Sequence, residues 1–157
     1  MQPLDLISTA RRLVGKGRGK PRQADLKRAL STTYYALFHA LCRNCADCFV
    51  GRTSGSRDEK AWEQAYRAVE HGFVRNQFRN KLIRDSFPEE IQDLASIFVE
   101  LQRKRHQADY VPSYRLTRSE VLIEIDASEM AIKKLRQASM KDLRSLAIWT
   151  VMKKRLE

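Results

Sequence analysis

The sequence predicts an all-α protein: a helical bundle with a core of four long helices and a short extra helix at each end. Three observations carry this. Apolar residues recur at steps of three and four in nearly every periodic stretch, and no stretch alternates like a strand. The 157 residues include only 6 Gly and 4 Pro, so few positions interrupt helices. Hydrophobic residues make up 43%, enough to fill a core, which excludes collagen-like, low-complexity and wholly disordered chains.

Pro3 suits a first helical turn, and Leu4, Leu6, Ile7, Ala10, Leu13 and Val14 make a short apolar helix. The run over 15–21, Gly-Lys-Gly-Arg-Gly-Lys-Pro, ends it as a hinge of glycines and positive charges. The second helix is long, with Leu26, Leu30, Tyr34, Leu37, Phe38, Leu41 and Cys45 on one broad stripe. After a loop over 51–55, Ser56 with Glu59 reads as a capping box. It opens a third helix carrying Trp62, Ala65, Tyr66, Val69 and Phe73, broken or bent at Gly72 and continued over 73–84. Ser86 with Glu89 reads as another capping box, with Pro88 in the first turn.

The fourth helix repeats Ile91, Leu94, Phe98, Leu101, Arg105 and Ala108. Val111-Pro112-Ser113 ends it, because the residue before a proline avoids the helical region. Thr117 with Glu120 is a third capping box, with Leu116 and Val121 placed as a hydrophobic staple. Val121, Leu122, Ile125, Ile132 and Leu135 line the fifth helix. A last helix, basic and amphipathic, is expected over 141–154, where Leu143, Leu146, Ile148, Trp149 and Met152 cannot all face one core. No repeat or linker divides the chain, so 1–157 reads as one domain with its core over 4–140.

Lys and Arg outnumber Asp and Glu by 30 to 19, a formal net charge of +11 that favours nucleic acid, nucleotides or an anionic surface as partner. The charge is dense over 11–28 and 133–155, with Arg75, Arg79, Lys81 and Arg84 between. Such segments hold a phosphate backbone without reading sequence, or serve only as a solvated surface. The glycine run lacks the spacing of a phosphate loop. No apolar run approaches the roughly 20 residues of a membrane span. Arg11 and Arg12 follow the first apolar residues, the wrong order for a secretory signal. Three cysteines confined to 42–48 do not form a disulfide framework, so the expectation is a reduced, cytoplasmic protein without a membrane role.

Arg105 shares a stripe with Phe98 and Leu101, so its head group must snorkel outward or meet a partner. It either locks the bundle through an acid such as Asp109 or works in a site with Arg103, Lys104, His106, Asp109 and Tyr110. Tyr35 and His39 stand one turn apart on the second helix, placed to contact a phosphate or to edge the core. Cys42, Cys45 and Cys48 with His39 have ligand chemistry. Each step of three turns a helix by about 300 degrees, though, so four ligands along one helix do not converge on one ion. Neither metal nor cofactor is implied.

Two segments resemble a known family. The run over 29–41, Ala-Leu-Ser-Thr-Thr-Tyr-Tyr-Ala-Leu-Phe-His-Ala-Leu, is similar to the second-helix signature of the HEPN superfamily (higher eukaryotes and prokaryotes nucleotide-binding). The run over 105–110, Arg-His-Gln-Ala-Asp-Tyr, resembles the Arg-x-x-Ala-Asp-Tyr helix end of one bacterial and archaeal branch. The resemblance covers roughly 4–140 and omits the last helix. It implies an up-and-down four-helix bundle that dimerises and acts in defence or toxin–antitoxin systems, either as a ribonuclease or beside a nucleotidyltransferase. Catalytic members would use the arginine on the scissile phosphate and a histidine for the 2′-hydroxyl proton, without metal.

In this chain Arg105 and polar His106 match the first half of that motif. Beyond four to six intervening residues stand Tyr110, Val111 and Pro112 instead of histidine. The expected function is therefore binding of RNA or nucleotides through Arg105, His106, Asp109 and Tyr110, with Tyr35 and His39 in the same cleft. The alternatives are a metal-independent endoribonuclease using His106 or His39, and an interaction module docking a nucleotidyltransferase through the last helix.

Overall fold

The computed structural model describes residues 2–15 and 19–156; Lys16, Gly17 and Arg18 of the expected hinge lie outside them. The helices are α1 (Pro3–Val14), α2 (Gln23–Phe49), α3 (Glu59–Arg67), α4 (His71–Arg79), α5 (Lys81–Asp85), α6 (Glu89–Tyr110), α7 (Arg118–Gln137) and α8 (Met140–Val151). A single 3₁₀ turn spans Ser54–Ser56, and no strand occurs among the described residues. The all-helical bundle expected from the periodicity is what forms.

Its axis is α2, packed against α1, α3, α6, α7 and α8. The stripe from Leu26 to Cys45 is buried, as are Ile91, Leu94, Phe98 and Leu101 of α6 and Val121, Ile125 and Ile132 of α7. Phe78 of α4 closes the core edge-on to Phe98, ring centroids 5.6 Å apart. Gly15 ends α1 at φ 76°, a backbone region where a side chain is strained and glycine is not.

The expected third long helix is three short ones. The capping box of Ser56 with Glu59 does not form: Ser56 Oγ donates back to Thr53 O, and Asp58 caps α3 by accepting from Ala61 N at 2.8 Å. The break falls at 68–70 rather than at Gly72, which lies in the first turn of α4. The stretch over 73–84 is not continuous either, because Asn80 leaves helical geometry and caps α5 through Leu82 N and Ile83 N. Asparagine competes for backbone donors in this way and so favours caps over helix interiors.

The Ser86–Glu89 box is also absent. Ser86 Oγ donates to Ile83 O, and α6 starts after Pro88, which is its N-cap rather than a first-turn residue. The third box does form: Thr117 Oγ1 accepts from Glu120 N, and Glu120 returns a carboxylate to Thr117 N at 2.8 Å.

The last helix starts at Met140, capped by Ser139, and ends at Val151 rather than near 154. It is part of the core. Leu143, Leu146 and Ala147 are buried, Asn44 Nδ2 donates to Leu143 O at 3.0 Å, and Gln77 Nε2 donates to Trp149 O at 2.9 Å. Ile148, Trp149 and Met152 stay on the outer face. Because Leu146 is fully buried, Leu146→Ala should destabilise the whole protein by about 2–5 kcal/mol in urea denaturation. An unchanged midpoint would show α8 to be an independent appendage.

Candidate functional site

The packing of α2 on α6 brings Arg105 onto two consecutive tyrosines. Its Nη1 donates to Tyr35 Oη at 3.2 Å and lies 3.7 Å from Asp109 Oδ2, one turn further along α6. The guanidinium carbon stands 5.0 Å from the Tyr34 ring centroid and 5.6 Å from that of Tyr35. Arg105 Nε and the neighbouring Gln102 Oε1 are buried without a hydrogen-bond partner. Part of this head group is therefore held by the fold, and part is desolvated without being satisfied.

His71, the first residue of α4, enters from the broken segment. Tyr34 Oη lies 2.6 Å from His71 Nδ1, and the Phe38 ring stacks on the imidazole with centroids 3.6 Å apart. One turn along α2, His39 Nδ1 is hydrogen-bonded to Tyr66 Oη of α3. The Tyr35 ring centroid is 6.0 Å from that of His71 and 6.4 Å from that of His39, so one aromatic strip joins both imidazoles to Arg105.

Burial sets the protons. It raises Tyr34 well above the usual phenol range, although the charges of Arg105 and Arg75 oppose the shift. It lowers His71 below the usual imidazole value, helped by the charges of Arg105 and His39. Tyr34 therefore keeps its proton and donates to Nδ1 of a neutral ring, leaving the His71 proton on Nε2. Burial likewise pushes Tyr66 up to about 12 and lowers His39, so His39 adopts the same tautomer. Tyr35 Oη accepts from Arg105, which frees its own hydrogen to donate outward. The cluster thus presents donors: a guanidinium, a phenol and two imidazole N–H groups. That is the complement of a phosphate.

Of the residues expected from sequence, Arg105, Asp109, Tyr35 and His39 come together. The other four go elsewhere. His106 is exposed with its ring beside Tyr110, centroids 4.8 Å apart, and Tyr110 is itself exposed. Arg103 pairs with Glu100 at 2.5 Å, and Lys104 with Glu124 of α7 at 2.5 Å. Sequence reasoning missed His71, Tyr66 and the hydroxyl of Tyr34. The one available signal was that a tyrosine on a core stripe must find a partner for its hydroxyl.

The cysteines belong to the core. Burial raises Cys42 to about 12 and Cys45 to about 11; Cys45 Sγ lies 3.2 Å from Thr150 Oγ1, and Cys48 Sγ donates to Asn44 Oδ1 at 3.6 Å. Among the described residues no group of His, Cys, Asp or Glu is placed to hold a metal ion, and no helix is long and apolar enough to cross a membrane. Comparison with protein-family models, curated proteins and solved structures finds no match to this chain.

The two histidines give the fold a pH dependence with a definite sign. Their folded pKa values lie below the unfolded value near 6.5, so below that pH the unfolded chain takes up protons the folded one resists. Stability should fall as pH drops from 7.5 to 5.5, and His71→Gln should flatten that fall in urea midpoints. Glu100 and Glu129, held low by hydrogen bonds from Arg103 and Arg11, act only nearer pH 4.5. A wild-type midpoint constant between 7.5 and 5.5 would contradict the neutral, buried imidazoles.

Proposed function

We propose that the protein is a HEPN-like helical bundle that binds RNA or nucleotides by their phosphates at the Arg105 cluster. The observation that carries this reading is the convergence of Arg105, Tyr35, His39 and His71 as hydrogen-bond donors beside aromatic rings. Guanidinium forks suit phosphate oxygens, and the half-buried rings of Tyr35, His39 and His71 suit stacking on a base. The two family-like segments support it too, since 29–41 and 105–110 lie on α2 and α6, which pack together. A prokaryotic defence or toxin–antitoxin setting, a homodimer and a nucleotidyltransferase partner follow from the same resemblance. The apolar outer face of α8, with Ile148, Trp149 and Met152, offers room for a partner.

A second reading is a metal-independent endoribonuclease. Its favouring observation is that His71, rather than His106, stands in the Arg105 cluster. In this reading His71 and Arg105 share the scissile phosphate, and Asp109 orients the guanidinium.

Fluorescence anisotropy with labelled single-stranded RNA in EDTA, over a salt series, tests both. Arg105→Gln should weaken binding about tenfold or more and reduce the slope of log affinity against log salt by about one. Equal affinity and slope in the variant would refute the assignment. RNA cleavage in EDTA that is lost in both Arg105→Gln and His71→Gln would establish the second reading instead.

A further inference from the structure

The C-terminal half of α2 borders a cavity of about 340 Å³ that the Arg105 cluster does not share. It lies where α1 begins, α7 ends and α8 starts. Its floor is apolar, made by Ala40, Ile132, Leu135 and Leu143, all buried. Its rim carries three guanidiniums, those of Arg43, Arg52 and Arg136.

The fold cancels only part of the charge of this rim. Among the described residues Asp47 is the one carboxylate lining the cavity, and its Oδ1 is committed elsewhere. Oδ1 accepts from Trp62 Nε1 at 2.9 Å and lies 3.6 Å from Arg57 Nη1, a fourth guanidinium outside the lining. Its only rim contact is Arg43 Nε at 3.9 Å from Oδ2. Arg52 and Arg136 are exposed, and no ion pair to an acid is found for either among the described residues. Asn44 pins α2 to α8 through Leu143 O, so the wall between floor and rim is fixed. The N-terminus of α1 also opens here. Pro3 lines the cavity, the N-cap Gln2 gives no side-chain hydrogen bond to the first turn, and Asp5 of that turn partly offsets the positive end of the helix.

We propose that this cavity binds a small organic phosphate, with the phosphate on the arginine rim and an apolar body on the floor. Planar guanidiniums grip phosphate oxygens two at a time, and positive charge gathered over a low-dielectric floor acts more strongly than the same charge spread over open surface. The volume sits at the small end of the roughly 300–1,000 Å³ typical of ligand sites, which suits a nucleoside monophosphate or an aryl phosphate. A bare anion would leave the floor unused. The cavity shares no lining residue with the Arg105 cluster: Arg43 lies one turn beyond His39, about 6 Å along α2, and eight residues beyond Tyr35.

Calorimetric titration of the full chain with adenosine monophosphate, phenyl phosphate, inorganic phosphate and adenosine tests this at fixed ionic strength. Besides the Arg105 cluster, the organic phosphates should occupy a second site, at least tenfold tighter than inorganic phosphate or adenosine does. The double variant Arg52→Ala/Arg136→Ala, which removes only exposed side chains, should lose at least tenfold in affinity for them, and Arg136→Glu should do the same by reversing one charge. Arg105→Gln, which removes the other phosphate site, should keep this one. Several outcomes would overturn the proposal: no binding of either organic phosphate, inorganic phosphate binding as tightly, an unchanged double variant, or binding lost only in Arg105→Gln. The last would place the phosphate at the Arg105 cluster.

Discussion

Five helices pack on the 27-residue α2 and bury 14 of its residues, and the burial of α2 is the constraint on which the rest of the structure depends. The buried faces of such a helix must be mostly apolar, and any polar group on them must find a partner in the wall around it. Thr33 solves this within the helix by donating to Ala29 O. Asn44 and Cys45 solve it by reaching Leu143 and Thr150, which fastens α8 to the core. Tyr34 reaches His71 and so fixes the start of α4. The candidate site grows out of that requirement: His71, recruited to satisfy Tyr34, joins the groups near Arg105.

The long periodic helices were legible because their burial repeats at 3.6 residues, and the stripes on α2, α6 and α7 lie in the core as read. The segment between α2 and α6 was not. Its apolar residues are spaced as for one bent helix, but the choice of breaks was made by competing side chains. Asp58 and Asn80 capture backbone N–H groups, while the serines of two apparent capping boxes turn back to carbonyls. A capping box is a short pattern that recurs by chance, and only the one at Thr117 had a long amphipathic helix directly behind it. The same broken segment hid His71 and Tyr66. Their positions depend on where three short helices stop, which spacing alone does not encode.

The basic composition was equally visible in sequence and equally incomplete as a guide. Arg11 is spent on Asp126 and Glu129 and Lys104 on Glu124, pairs that tie α1 and α6 to α7, and Lys133 is spent on Glu129 within α7. Partly exposed pairs of this kind contribute at most about 1 kcal/mol each. They still remove cations from any surface offered to a phosphate. What remains concentrated is local: the guanidinium of Arg105 among aromatic rings, the three arginines round the cavity at the far end of α2, and Lys20, Arg22 and Arg115 round another cavity. Net charge indicates that an anion is favoured, whereas the geometry of the leftover charge indicates where.

Whether the Arg105 cluster holds a phosphodiester or cuts it turns on two protons. A general base needs a free lone pair, and on both imidazoles the Nδ1 lone pair is occupied by a phenol. Those phenols are buried, so their own ionisation is disfavoured, and Tyr34 and Tyr66 do not surrender the hydrogen bond by losing the proton. The remaining nitrogen of each ring carries hydrogen and acts as a donor. Turning His71 into a base would require flipping its tautomer against Tyr34 while the stacked Phe38 holds the ring in place and the charge of Arg105 opposes a second proton. The enclosure of α2 buries the tyrosines, the buried tyrosines fix the histidines as donors, and histidines so fixed bind a phosphate more readily than they activate the hydroxyl beside it.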